Sequence, residues 1–333
     1  MSGELQFDTV VSSRVRFARN IADYPFFSKL TEKGAKEIID KVGKVLGEGY
    51  TVRDFTNMSA VNAEKYVEDH VISQEFAQCR LPHALYEGGG NGSVRVMVIE
   101  EDHIRIQSII PGAALDEAYK AALECDERIN EGLNIAYSDE LGYLTHCPTN
   151  LGTAMRASVM MFLPGLQRTG RLGEIVPQLS KLGMTIRGMY GEGSESGPAL
   201  YQISNQITLG VDEETVISKL KNIVGQIADY ERKARKIVCK GENADRFADA
   251  LWRSVGILKY ARTMSSDEFM KHYQNVRLGV SEGLIDTVTE AQLDCVFSES
   301  MPANVVFRAG KPLGEKERDL ARAEYLRETL KAV

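Results

Sequence analysis

Residues 93–112 read SVRVMVIEEDHIRIQSIIPG. Two runs of β-branched and aliphatic residues, SVRVMVI and IRIQSII, flank the polar EEDH, which predicts a β-hairpin with the acids at its connection. Working outward, TVVSSRVRFARN (9–20) alternates as a strand, while LTEKGAKEIIDKVGKVLGEG (30–49) places Ile38, Ile39, Val42, Val45 and Leu46 on one helical face. A glycine-rich loop, YEGGGNG, precedes the hairpin, and AALDEAYKAALECDERIN (113–130) follows it as an amphipathic helix. Next come a Cys147-Pro-Thr-Asn turn with a helix expected after it, then MTIRGMYGEGSESGPALYQISNQITLG (184–210), a strand, glycine loop and second strand.

Beyond residue 211 the strand signals fade. DEETVISKLKNIVGQIADYERKARKIV has helical spacing, and three further stretches to the C-terminus suit helices. The expected layout is an α+β catalytic unit over 1–225 and an all-α unit over 226–333, with no internal repeat. At 43% hydrophobic and 26% charged, the 333-residue chain has the composition of a folded protein rather than a disordered one. A net charge of −7 argues against general nucleic-acid binding. No apolar run is long enough for a membrane helix, and the first ten residues do not read as a signal peptide. Five scattered cysteines form no CxxC, which speaks against a zinc site or disulfide framework and for a reducing, cytoplasmic setting.

Three polar clusters carry chemistry. In SSRVR, Arg14 and Arg16 sit two apart on a strand, so both guanidinium forks point to one face and suit phosphate oxygens; alone, the pair is also what a solvated strand edge looks like. In EEDHIR, Glu100, Glu101 and Asp102 precede His103 and Arg105, a grouping open to water-mediated Mg2+, a bound cation, general-base work or a plain charged hairpin tip. RGMYGEGSE (187–195) has the glycines for close backbone approach and the acids Glu192 and Glu195, yet it is neither a Walker loop nor a dinucleotide fingerprint. Arginines for a polyphosphate beside carboxylates for a cationic acceptor form the division of labour that phosphoryl transfer uses. Cys147 stays open between nucleophile, metal ligand and small apolar side chain, although nearby positive charge favours a thiolate.

SSRVR, EEDHIR, CPTNLGTAMRASVM and RGMYGEGSE…YQISNQ, in that order, resemble the ATP:guanido phosphotransferases, the phosphagen kinase superfamily, across most of residues 10–210. Within it the chain is similar to the bacterial protein-arginine kinases. SSRVR begins early, as if the N-terminal helical domain were lacking; Tyr190 stands where phosphagen kinases place a nucleotide-binding arginine; and RDLARA (318–323) matches a phosphoarginine-binding RDxxRA motif.

The resemblance implies a fold: a glutamine-synthetase-like antiparallel sheet flanked by helices, then a helical domain that dimerises. It implies that Arg14, Arg16, Arg105 and Arg156 embrace the ATP phosphates, with Ser12, Ser13 and Val15 beside them. Ala157, Ser158, Val159 and Met160 would line the nucleotide site, and His70 would lie near the base. Arg187, Gly188, Met189, Tyr190, Gly191 and Glu192 would form a loop over the phosphates. Glu101 would orient the acceptor guanidinium and take its proton, Glu100 would hold Mg2+ through water, and Glu195 and Cys147 would flank the acceptor. Arg318, Asp319, Arg322 and Ala323 would bind phosphoarginine allosterically.

The implied reaction is in-line transfer of the ATP γ-phosphate to protein arginines, in protein quality control and stress response, by a cytoplasmic homodimer that autophosphorylates. Its implied partners are a zinc-binding activator, a heat-shock repressor and a Clp unfoldase. The alternatives are a small-molecule guanidino kinase and a non-catalytic phosphoarginine-binding adaptor. The chain departs from the family at Ile99, where asparagine is usual, and at His146, where a small or aromatic residue is commoner.

Overall fold

The computed structural model describes residues 8–89, 92–188, 199–242 and 244–330. Strand β1, Val10–Arg19, sends Ser13, Val15 and Phe17 into the core and Ser12, Arg14 and Arg16 to the opposite face, the period-two alternation of a pleated strand. Helix α1, Glu32–Leu46, starts at Thr31, whose hydroxyl accepts the Gly34 N–H, and stops at Gly47 (φ 66°). Ile38, Val42 and Leu46 of its expected apolar face are buried, and Ile39 and Val45 pack partly against the same core.

Strand β2 (Tyr50–Asp54), helices α2 (Ala60–Glu68) and α3 (Gln74–Ala77), and strand β3 (Ala84–Gly88) follow. The expected hairpin is β4, Val94–Val98, and β5, Ile104–Pro111, paired antiparallel with the acids between them. Helix α4, Leu115–Gly132, lies against β1 and β5 and leads to a small two-stranded ribbon, β6 (Tyr137–Ser138) and β7 (Gly142–Tyr143).

After the Cys147-Pro-Thr-Asn turn the chain enters a strand rather than the expected helix: β8, Met155–Phe162. Its apolar residues alternate because one face is buried, which decides for strand where the short run was ambiguous. Helices α5 (Pro164–Arg168) and α6 (Leu172–Lys181) then lead to β9 (Met184–Gly188) and β10 (Leu200–Asn205). Eight strands form one antiparallel sheet, ordered β2-β3-β4-β5-β1-β8-β10-β9.

Helix α7, Glu213–Lys240, is capped by Asp212 and packs Val216, Ile217, Leu220, Val224 and Ala228 on the same core as α1 and α4. It passes unbroken through residue 225, the expected divide, and its Ala234 still belongs to the large core. Helices α8 (Ala244–Tyr260), α9 (Ser266–Ser281), α10 (Glu290–Glu299), α11 (Pro302–Ala309) and α12 (Glu315–Leu330) bury a second cluster around Leu251, Phe269, Tyr273 and Leu326. The sheet thus has one face closed by α1, α4 and α7. The other face is covered at one end, where Phe55, Ile72 and Phe76 pack on Leu85 and Met97, and at the other, where Leu278 packs with Phe162 and Leu200; Arg14, Arg16 and Arg105 lie between. Among the described residues no helix is long and apolar enough to cross a membrane.

Candidate active site

Register brings the arginines together. Arg16 pairs with Arg156 of β8 and with Gln107 of β5, and Ala18 pairs with Arg105, so directly opposed residues share the open face. Arg14 is held by Ser158 Oγ (3.4 Å from Nε) and Gln202 Oε1 (3.0 Å from Nη2). Arg156 reaches Ser204 Oγ at 3.5 Å. The cations oppose one another: burial, then Arg105 and Arg156, lowers the Arg14 pKa to about 10. Burial followed by Arg14, Arg105 and Arg156 pushes Arg16 well below the ordinary arginine range, and burial, Arg187 and Arg105 lower Arg156. The Nε atoms of Arg16 and Arg156 are buried without a hydrogen-bond partner. Such donors and excess positive charge want an anion of several oxygens.

Arg16, Glu100, Glu101, Arg105, Cys147 and Arg156 line one cavity of about 230 Å3. Glu100 is nearly fully buried; Arg105 and the Ser73 hydroxyl donate to it, and the Glu101 N–H meets its Oε2 at 2.9 Å. Glu101 is half-buried, with its pKa raised by burial first and then by the charges of Asp102 and Glu100. Cys147, also half-buried, lies 3.0 Å from Thr149 Oγ1, and its carbonyl accepts from the Thr145 hydroxyl (2.8 Å) and the Asn150 N–H (3.0 Å). Ile99, where asparagine was expected, is buried with φ 69°, a left-handed conformation that asparagine tolerates and a β-branched residue resists.

Other expected site residues fall elsewhere. Val15, Ala157 and Val159 present their side chains to the core, because strand alternation opposes them to Arg14, Arg156 and Ser158. Ser13 is buried too, its hydroxyl donating to Gly112 O (2.8 Å) and accepting from Ala114 N (3.1 Å), so it ties β1 to the start of α4. Ser12 and Met160 keep the open face as opposed partners. His70 is exposed with φ 58°, beside β5, where Gln107 Nε2 donates to its carbonyl at 3.1 Å. Arg187 and Gly188 end β9, opposite Gln202 and Tyr201; Met189, Tyr190, Gly191, Glu192 and Glu195 lie outside the described residues.

In RDLARA, Arg318 and Asp319 are partly exposed, whereas Arg322 and Ala323 are buried. The Arg322 guanidinium donates to Ser300 O (2.7 Å), Met264 O (2.7 Å), Asp319 Oδ1 (2.8 Å) and Ser266 Oγ (2.9 Å). It therefore braces the helical unit, with most of its donors already used. Sequence reasoning missed Gln202 and Ser204 as arginine partners. It also missed Asn20 and Asn205, whose amide oxygen accepts the Ala157 N–H at 2.8 Å. The alternation in YQISNQ, polar on one side of Ile203, was the available signal for the first two.

The model of the ATP:guanido phosphotransferase C-terminal catalytic domain matches residues 32–234, and that of the protein-arginine kinase McsB C-terminal domain matches 244–333. A protein-arginine kinase of Caldanaerobacter subterraneus is 39% identical over 327 residues, 96% of each chain. One of Syntrophomonas wolfei is 39% identical over 342 residues, 99% of this chain and 94% of the relative. Among solved structures, the substrate-free duplicated taurocyamine kinase of Schistosoma mansoni is 26% identical with a TM-score of 0.61, over 76% of this chain and 39% of that one. A lombricine kinase, 23% identical with a TM-score of 0.60, shares the fold over 74% of this chain and 71% of its own.

Proposed function

This chain belongs to the ATP:guanido phosphotransferases and, within them, to the protein-arginine kinases, and from that premise we propose how its own residues carry out the transfer. One observation carries the reading: a knot of mutually opposed arginines with orphaned donors shares a cavity with a carboxylate of raised pKa. Arg14, Arg16, Arg105 and Arg156 bind the triphosphate, and the orphaned Nε atoms gain their missing acceptors when it arrives. Magnesium would come with ATP and supply charge neutralisation; Glu100, already engaged by Arg105, Ser73 and the Glu101 N–H, would meet it only through water.

Glu101 accepts a proton from the acceptor guanidinium as its nitrogen bonds to the γ-phosphorus, while the bond from that phosphorus to the bridging oxygen breaks and ADP leaves. A carboxylate that burial and two neighbouring acids make more basic suits that role. Cys147, on the same cavity, sits beside the acceptor rather than attacking it. Glu195 and the 189–192 loop complete the reading from the resemblance alone. So do the homodimer, autophosphorylation, stress response, cytoplasmic setting, zinc-binding activator, heat-shock repressor and Clp unfoldase. For the phosphoarginine site, Arg318 is the motif cation nearer the surface.

The test is phosphoarginine detection by mass spectrometry after incubation with ATP and either an unfolded protein or free arginine. The expected result is phosphate on protein arginines, reduced to background in Glu101→Ala. Phosphorylation of free arginine alone, or equal signal from Glu101→Ala, would overturn it. Because the base works as a carboxylate, turnover is lost as pH falls through the Glu101 pKa. That pKa is raised, so the acid limb should lie above the ~4.3 of an ordinary glutamate.

A further inference from the structure

Asn20 follows β1 and is 1% exposed. It does not line the catalytic cavity, yet its amide is fully used. Nδ2 donates to Asp102 Oδ1 at 2.6 Å and to Leu144 O at 3.0 Å, and Oδ1 accepts the His103 N–H at 2.9 Å. Asp102 Oδ1 in turn accepts the His146 N–H at 2.7 Å. The partners belong to two different turns. Asp102 and His103 follow Glu101 directly, and Leu144 and His146 flank the segment that leads into Cys147. His103 anchors the first turn further, its Nδ1 accepting from Ile21 N–H (3.1 Å) and its Nε2 meeting Pro25 O (3.0 Å).

We propose that Asn20 is a positioning residue for phosphoryl transfer: its amide, through Asp102, holds the Glu101 turn and the Cys147 turn at the spacing the acceptor guanidinium needs. This rests on the assignment of Glu101 and Cys147 to the acceptor. Only an amide of this length supplies two donors and one acceptor at that point. Aspartate has neither donor, serine is too short to reach all three partners, and glutamine is one methylene too long. The arginines hang from β1, β5 and β8 by ladder register, so the ATP subsite does not depend on this bridge. A small displacement of catalytic groups costs on the order of 100-fold in rate.

Asn20→Asp sets two carboxylates against each other and removes both donors. The expected result is a fall in kcat of about 100-fold with the KM for ATP within about threefold of wild type. Iodoacetamide labelling of Cys147, followed by mass spectrometry of its peptide, should change rate severalfold. Should Asn20→Asp not fold, Asn20→Ser carries the same test with a fall of about tenfold, since one hydroxyl replaces part of the amide. Wild-type kcat in either folded variant overturns the inference. So does a KM for ATP that rises in step with the fall in kcat, or Cys147 labelling that does not change. Glu101→Gln, measured alongside, separates the two levels. If it remains active, the catalytic reading fails; if it is inactive while the Asn20 variants work normally, only the positioning role fails.

Discussion

Arg16 is the residue at which stability and function pull apart. Its guanidinium is held among Arg14, Arg105 and Arg156, its Nε has no partner among the described residues, and Glu100 supplies the opposing charge. A cation whose folded pKa is depressed destabilises the empty fold while it stays charged. An orphaned buried donor adds about 1–3 kcal/mol to that cost. Arg16→Met should therefore raise the melting temperature of the ATP-free protein by about 2 °C or more, and raise the KM for ATP by tenfold or more. Thermal unfolding and ATP titration check the pair of outcomes; a lower melting temperature with an unchanged KM would contradict the cation-cluster reading. Ile99 stores strain of another kind, a β-branched side chain at φ 69° immediately before Glu100 and Glu101. The departure from asparagine was visible in the chain; its backbone cost was not, because φ is a property of the turn.

At the scale of elements, β1, β4, β5 and β8 could be read or misread only through their alternation. β1 was legible because one of its faces is core and the other polar, and the hairpin because two β-branched and aliphatic runs flank a polar connection. β8 follows the same rule, yet its start beside a Pro-Thr-Asn turn resembled a helix entrance. β2, with four of its five residues exposed, and the four-residue α3 carry too little pattern to announce themselves. The turn holding Cys147 is closed by tertiary contact: the Thr208 hydroxyl donates to Thr149 O (3.1 Å) and Leu151 O (2.7 Å), and Thr153 N–H to Thr208 O (3.0 Å). Gly152 makes this possible, with φ 96° and room for no Cβ, which would lie 2.2 Å from Thr208 O. Gly152→Ala should lower kcat by about tenfold or more, through displacement of Cys147, with little change in ATP affinity measured by calorimetry. Gly210→Ala, at φ 74° in open space, bears only the left-handed penalty of about 1 kcal/mol and should leave kcat near wild type. Equal effects from the two variants would mean that backbone strain alone, and not the Thr208 contact, explains Gly152.

At the scale of the whole molecule, the sheet and the helical unit meet through carboxylates that no local pattern foretells, since donor and acceptor lie more than 200 residues apart. Glu68, the last residue of α2, accepts the N–H groups of Ala303 (2.8 Å) and Asn304 (3.0 Å) at the start of α11. A negative charge there meets the positive end of the helix. Asp69 beside it accepts from the Ser298 hydroxyl (3.1 Å) and Asn304 Nδ2 (3.0 Å). The His70 carbonyl, next in line, is held by Gln107 of β5 on the arginine face. The last residue of a short helix and the one that follows it thus link the sheet to the helices around RDLARA. Glu68→Ala removes the acceptor and leaves the first α11 amides without partners, a cost of about 1–3 kcal/mol confined to that junction. Hydrogen exchange should then show faster exchange of the amides at 303 and 304, with β1 and β8 amides unchanged. Unchanged protection at 303 and 304 would show that the Asp69 bonds and the surrounding packing hold the junction without Glu68. Loss of protection throughout the sheet would show instead that the helical unit supports the catalytic fold as a whole.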